Sequence, residues 1–236
     1  MSKNTSFDHK KMADELKEAH PIEVIQWGVK MLGASNLTLA CSFGYEDVAL
    51  VDMVLKVDPA IEIFYINTDL LFPETYQVRD QLKEKYRCSF KELKPQLTLE
   101  EQNRLYGEQL WKKDPDQCCN LRKVIPLKSV LTHYKGWITG IRREQSATRA
   151  NTEVIEWDQI FGLWKLNPLA YWNDEQVWAY IRQHQIPYNP LHDQHYPSIG
   201  CYPCTRSVQP GEDPRSGRWR GFAKTECGLH QQSAKK

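Results

Sequence analysis

The chain has 236 residues, with 31 Lys and Arg against 30 Asp and Glu and a formal charge of +1. This length suits one large domain with an appended segment, and the charge balance speaks against nucleic acid as the main partner. The apolar runs fall far short of the ~20 residues a bilayer span requires, and residues 1–20 are charged without an apolar signal core, so a cytosolic, cytoplasmic protein with no membrane partner is expected.

Residues 8–20 and 21–32 have helix-like composition, the second with Pro21 in its first turn and Gly33 as its stop. Leu37 to Cys41 reads as a short buried strand, followed by the turn Ser42-Phe43-Gly44 and a helix over 47–57. A second buried strand is predicted over 61–66, then a loop over 67–73 and a helix over 74–86. Strand, loop and helix alternating at this spacing predict an α/β fold with a parallel sheet covered by helices. A helix over 121–131, strands over 137–139, 154–157 and 163–166, and a helix over 174–183 continue the pattern. From Pro187 onward Pro, Gly and polar residues dominate, and 206–236 has no periodic apolar pattern. The expected organisation is one domain over 1–205 and a mobile C-terminal tail over 206–236.

Two strand-to-helix loops are candidate binding elements. Ser42-Phe43-Gly44 can turn backbone N–H groups toward an anion, although an ordinary turn explains it as well, and it lacks the glycine pattern of the dinucleotide and Walker loops. Asn67 to Thr75 would border the same crevice, and also reads as a helix start with Pro73 in the first turn.

Seven cysteines in a reducing compartment do not suggest a disulfide framework. Cys41 and Cys88 read as structural. Cys118-Cys119 and Cys201-Tyr202-Pro203-Cys204 supply four thiolates, enough for tetrahedral zinc or a [4Fe–4S] cluster. Adjacent cysteines suit a cubane, which offers a different iron to each, better than a single ion. A redox disulfide between Cys201 and Cys204 would leave the vicinal pair unexplained. Arg122 and Lys123 follow that pair directly, and Arg142, Arg143 and Arg149 follow Gly140. Clustered arginines grip phosphate or sulfate through forked hydrogen bonds, while a solvated surface has similar composition. In the tail, Arg215, Arg218 and Lys224 precede Cys227, and His230 follows. A thiol in such a cation-flanked polar segment is a candidate nucleophile: Lys224 and His230 favour the thiolate, and Glu226 opposes it.

Together these residues resemble the assimilatory sulfonucleotide reductases, in particular the iron–sulfur adenosine 5′-phosphosulfate (APS) reductases of bacteria. The likeness runs from Leu37 to His230. It rests on Ser42-Phe43-Gly44, Phe72-Pro73-Glu74-Thr75, Cys118 through Lys123, Arg142 through Ser146, Gly200 through Arg206, and Glu226-Cys227-Gly228-Leu229-His230. One departure is Asn67-Thr68-Asp69-Leu70, which stands where the family often has Asp-Thr-Gly in a loop facing the nucleotide. The resemblance implies an adenine nucleotide α-hydrolase-like (PP-loop) fold and a role in sulfate assimilation and cysteine biosynthesis. It implies Cys227 as nucleophile, a Cys227 S-sulfonate intermediate, and thioredoxin as reductant. It assigns one [4Fe–4S] cluster to Cys118, Cys119, Cys201 and Cys204. Substrate contacts are implied at Ser42, Phe43, Gly44, Lys123, Gly140, Arg142, Arg143, Arg149, Arg215, Arg218 and His230. In this superfamily the four cluster cysteines generally accompany APS, so APS is the expected substrate. Its 3′-phosphorylated relative PAPS is a second substrate if cations meet the extra phosphate. A homo-oligomer is expected.

Two other classes share parts of the pattern. An ATP-dependent PP-loop thiolase or nucleotidyl transferase would want a fuller Ser-Gly-Gly loop and no tail cysteine. A zinc-stapled binding module would leave Cys227 without a role.

Overall fold

A computed structural model of the chain describes residues 9–230. The start of the first expected helix and the end of the expected tail lie outside the described residues. Six strands, β1 (Leu37–Ala40), β2 (Glu62–Ile66), β3 (Lys91–Leu93), β4 (Gly136–Ile138), β5 (Ile155–Asp158) and β6 (Leu163–Leu166), form one sheet in the order β3-β2-β1-β4-β6-β5. All neighbours pair parallel except β5 with β6, which are antiparallel. The helices are α1 (His9–Leu16), α2 (Pro21–Leu32), α3 (Tyr45–Val57), α4 (Pro73–Tyr86), α5 (Leu99–Tyr106), α6 (Leu110–Lys113), α7 (Pro115–Cys119), α8 (Ile125–Leu131) and α9 (Asp174–Gln183).

The period-2 alternation of the strands divides the core. Leu37, Leu39, Ile63, Tyr65, Ile138 and Leu166 pack into one apolar cluster with residues of α2, α3, α4 and α9. Phe64, Trp137 and Leu163 enter a second cluster with Leu127, Val130 and Leu131 of α8. Both faces of the sheet are therefore covered, as a parallel sheet requires.

The elements expected over 21–32, 163–166 and 174–183 form with those bounds, and most others shift by a residue or two. The helix expected over 121–131 begins instead as a π-turn, Asn120–Val124, continuous with α7 and α8. The stretch from 87 to 120, which carried no strand or helix signal, supplies β3 and α5 to α7. Strand β3 is only three residues long and exposes Lys91 and Glu92, so no apolar alternation marks it. Among the described residues no helix is long and apolar enough to cross a membrane.

Strand order reverses between β1 and β4, and in open α/β sheets ligands bind outside the carboxyl ends of the strands at such a point. Residues 206–230 form no helix or strand, yet they are hooked onto the loop before them. Val208 N donates to His195 O (2.8 Å), Trp219 N donates to Cys204 O (3.1 Å), and Trp219 is buried.

Candidate active site

A cavity of about 270 Å³ opens at the β1–β4 crevice. The loop after β1 forms one wall. There the Asp47 carboxylate accepts hydrogen bonds from Ser42 N and Ser42 Oγ, both 2.6 Å, folding the loop back on the first turn of α3. Burial pushes Asp47 up to about 6 despite those bonds. Phe43 adopts a left-handed φ of 62°, which costs a non-glycine residue. Its ring packs edge-on to Tyr65 and Phe90 at 5.3 and 5.2 Å, so the core holds that conformation. The turn after β4 forms the facing wall. A Cβ at Gly140 would lie 2.2 Å from Asp47 Oδ1, so the two walls interlock only because this residue has no side chain.

The expected cations divide into three kinds. Arg142 is buried, with Nη2 donating to Glu46 Oε1 (3.0 Å) and also to Tyr45 and Asp174. Its charge is met, and it ties the start of α3 to the start of α9. Arg149 forks onto Glu226, with Nε to Oε1 and Nη2 to Oε2 both 2.8 Å, and Arg215 Nη2 reaches Glu226 Oε2 at 3.1 Å. Burial and the neighbouring Arg149 hold Arg215 down to about 10, against the pull of Glu226. Lys123 and Arg218 pair with no carboxylate among the described residues. Arg218 donates to the neutral Ser198 Oγ (3.0 Å) and lies 4.5 Å from the Trp219 ring centroid. A Cβ at Gly200 would meet Arg218 Nη2 at 2.2 Å, so the guanidinium rests against bare backbone.

Every expected binding residue lines the cavity except Arg143. Its Nε donates to Ala150 O (2.5 Å) and its guanidinium lies 4.8 Å from the Tyr171 ring centroid. Cys227 and His230 also line the cavity. The surroundings of the thiol differ from those the sequence suggested. Lys224 pairs with Asp116. His230 stacks on Trp137 at 5.6 Å, and burial together with Lys165, Arg149 and Arg215 holds its pKa well below the usual histidine value, leaving it uncharged. Glu226 is neutralised by its arginines. The cation that answers the thiols is Lys123: burial disfavours its ammonium, but Cys201, Cys119 and Cys227 outweigh this and raise its pKa.

Four further cysteines meet beside this cavity. Asp114 caps α7, its Oδ1 accepting from Gln117 N (2.9 Å), which fixes Cys118 and Cys119 at the helix end. Tyr202 N donates to Leu70 O (2.8 Å) and seats the 201–204 turn against the loop after β2. Cys118, Cys119, Cys201 and Cys204 then line one small cavity with Arg122, Lys123 and Trp219. Burial and the neighbouring thiols push Cys118 up to about 12 and Cys204 up to about 11. Among the described residues, no three Cys, His, Asp or Glu donors are set to hold a single metal ion.

The loop that departs from the family pattern is largely occupied elsewhere. Asp69 pairs with Arg122 (2.5 Å), and Asn67 bonds Glu92 (2.7 Å) and Tyr76 (2.7 Å). Only Thr68 of the stretch 67–70 lines the crevice cavity, its Oγ1 lying 3.2 Å from Cys201 Sγ. Glu46, Asp47 and Gln145 were not foreseen as site residues, yet they build its walls. In the sequence the two carboxylates close the Ser42 to Asp47 stretch, at the entry to the helix expected over 47–57.

The family described as the phosphoadenosine phosphosulfate reductase domain matches residues 36–207. An adenosine 5′-phosphosulfate reductase of Halalkalibacterium halodurans is 48% identical over 217 residues, covering 92% of this chain and 94% of the relative. A phosphoadenosine 5′-phosphosulfate reductase of Gloeobacter violaceus is 45% identical over 229 residues, covering 96% and 94%. The crystal structure of the PAPS reductase of Candida auris, a phosphate complex, superposes with a TM-score of 0.75 at 30% identity, covering 88% of this chain and 99% of that one. With its mostly parallel, PP-loop-like sheet and its crevice at the β1–β4 reversal, the chain belongs to the phosphoadenosine phosphosulfate reductase domain family.

Proposed function

We propose that the chain reduces APS to sulfite and AMP. The observation that carries this reading is the meeting of the Cys227 thiol with two carboxylate-free cations, Lys123 and Arg218, in one cavity at the sheet reversal. The names of the relatives support the substrate class. Cys227 Sγ, as thiolate, attacks the sulfur of the phosphosulfate. The bond from that sulfur to the bridging oxygen breaks, AMP leaves with the electron pair, and Cys227 carries an S-sulfonate. Fixed cations at the departing phosphate lower the barrier because the site needs no reorganisation as charge moves. A thioredoxin-type dithiol then attacks the Cys227 sulfur, and sulfite leaves with the pair. The second thiol of the reductant resolves the mixed disulfide, so the dithiol supplies both electrons. The segment carrying Cys227 lifts to admit substrate and closes to deliver the thiol.

Cys118, Cys119, Cys201 and Cys204 would hold one [4Fe–4S] cluster. Three buried thiols and the half-buried Cys204, from two distant segments, surround a small cavity with cations alongside, and a vicinal pair suits the separate irons of a cubane better than one zinc ion. When bound, the cluster would crosslink α7 to the 201–204 turn and place its charge beside Lys123.

Protein given APS without reductant should gain the mass of one SO3 on Cys227, and should release sulfite only when a thioredoxin-type dithiol is added. Absence of the adduct sinks the reading. A specificity constant for PAPS well above that for APS would move the assignment to PAPS.

A further inference from the structure

Glu226 stands one residue before the thiol and makes four contacts with its carboxylate. Arg149 Nε and Nη2 each lie at 2.8 Å, Arg215 Nη2 at 3.1 Å, and Thr148 Oγ1 at 3.2 Å. The three charged side chains are only 10–14% exposed. Arg149 is anchored from behind: its Nη1 donates to Gln145 Oε1 (2.5 Å), and Gln145 Nε2 donates to Glu46 Oε1 (2.7 Å). An unbroken chain of polar contacts thus runs from the first turn of α3, through Gln145 and Arg149, to the tail residue next to the thiol. Cys227 lines the substrate cavity in this same arrangement, so the clasp belongs to a delivered thiol and not to a withdrawn one. Arg149 and Arg215 are therefore already committed to an internal carboxylate, while Lys123 and Arg218 are not.

Resting on the reading of Cys227 as nucleophile, we infer that Glu226 is a positioning residue whose clasp by Arg149 and Arg215 docks the tail and aims Cys227, leaving Lys123 and Arg218 to hold the phosphosulfate. A forked, largely buried pair fixes direction as well as distance, and misplacing a reacting atom slows the chemical step more than it weakens binding. Glu226→Gln keeps the shape and removes the charge.

The test uses full-length protein with APS and no reductant, and follows single-turnover formation of the Cys227 S-sulfonate by mass. The APS dissociation constant is measured separately in a Cys227→Ser background. Glu226→Gln and Arg149→Ala should each slow adduct formation by about 10- to 100-fold, with APS affinity changed by less than about 3-fold. The double variant should be no slower than the worse single one, since both remove one interaction. Glu226→Asp, which keeps the charge, should recover part of the rate, and a variant that binds APS is folded. Tighter APS binding by Glu226→Gln at an undiminished rate would return both arginines to the substrate and overturn the inference. So would a parallel fall in affinity and rate that Glu226→Asp does not relieve. If the wild-type protein itself forms no adduct, the nucleophile assignment fails first, and the two failures are told apart.

Discussion

Arg142 and Arg218 border the same cavity and are the same residue type, but their surroundings give them opposite duties. Arg142 is enclosed by Glu46, Asp174 and Tyr45, so its charge is spent on joining α3 to α9. Arg218 meets a hydroxyl, an indole face and a glycine, and its charge stays available. A buried cation with carboxylate partners is part of the scaffold, and removing it strands those partners. A cation with neutral partners keeps its field for a ligand. The division between the wall network and the tail-side cations follows from which carboxylates lie nearby, not from the arginines themselves.

The strongest test of the tail side is Cys227→Ser. A hydroxyl without an activating base is a poor nucleophile at neutral pH, so turnover should fall by at least about 10³-fold while APS affinity is kept. Sulfite production by that variant would remove the thiol from the reaction. On the wall side, Arg142→Ala should cost about 3–5 kcal/mol of stability by leaving Glu46 uncompensated, read as a lowered denaturant midpoint. If it instead only weakens APS binding with stability intact, the scaffold role is wrong.

Asp47 sharpens the comparison through pH. Its folded-state pKa is raised from 3.8 to about 6, chiefly by burial, so the folded protein holds this proton more tightly than the unfolded chain. The resulting stabilisation is present below the unfolded value and is lost as pH rises through the folded one. Relative to wild type, Asp47→Asn should therefore gain up to roughly 3 kcal/mol on going from about pH 4 to about pH 7. Parallel stability–pH curves for the two proteins would contradict this. The smallest effect is expected at the carboxylate-free cations. Lys123→Ala or Arg218→Ala should each weaken APS binding by about 10- to 100-fold, near 1.5–3 kcal/mol, with the denaturant midpoint unmoved. Unchanged affinity in both variants would require another home for the phosphosulfate.

The βα units from Pro21 to Tyr86 were legible because apolar strands and helices there are punctuated by Pro and Gly, and local pattern decides them. The cysteine sets and the tail thiol were legible as motifs. Roles within the arginine cluster were not. Arg142 sits in extended backbone with φ −127° and ψ 148°, and the chain turns into a 3-10 helix at Arg143. Arg142 therefore turns inward while Arg143 turns onto Tyr171, a difference that adjacency in sequence hides. The pairing of Arg149 with Glu226, like that of Arg142 with Glu46, joins residues far apart in the chain, and composition carries no trace of it. Burial first, then Lys165 and two arginines brought in by other elements, lower the pKa of His230, surroundings that its neighbours in sequence do not announce.

The π-turn at Asn120–Val124 bears on how this chain can change in length over descent. An α-helix advances about 100° per residue, and a π-turn accommodates one residue more than the α ladder would. Upstream of it stand Cys118 and Cys119; downstream, Leu127, Val130 and Leu131 pack against the sheet. Loss or gain of a single codon in this stretch would rotate one set relative to the other, so that either the cysteines or the core leucines face the wrong way. The turn over 107–109 joins α5 to α6 with Glu108 and Gln109 exposed and carries no such coupling. Lineages of this enzyme should accumulate insertions and deletions at 107–109 and keep the count between Cys119 and Leu127 fixed.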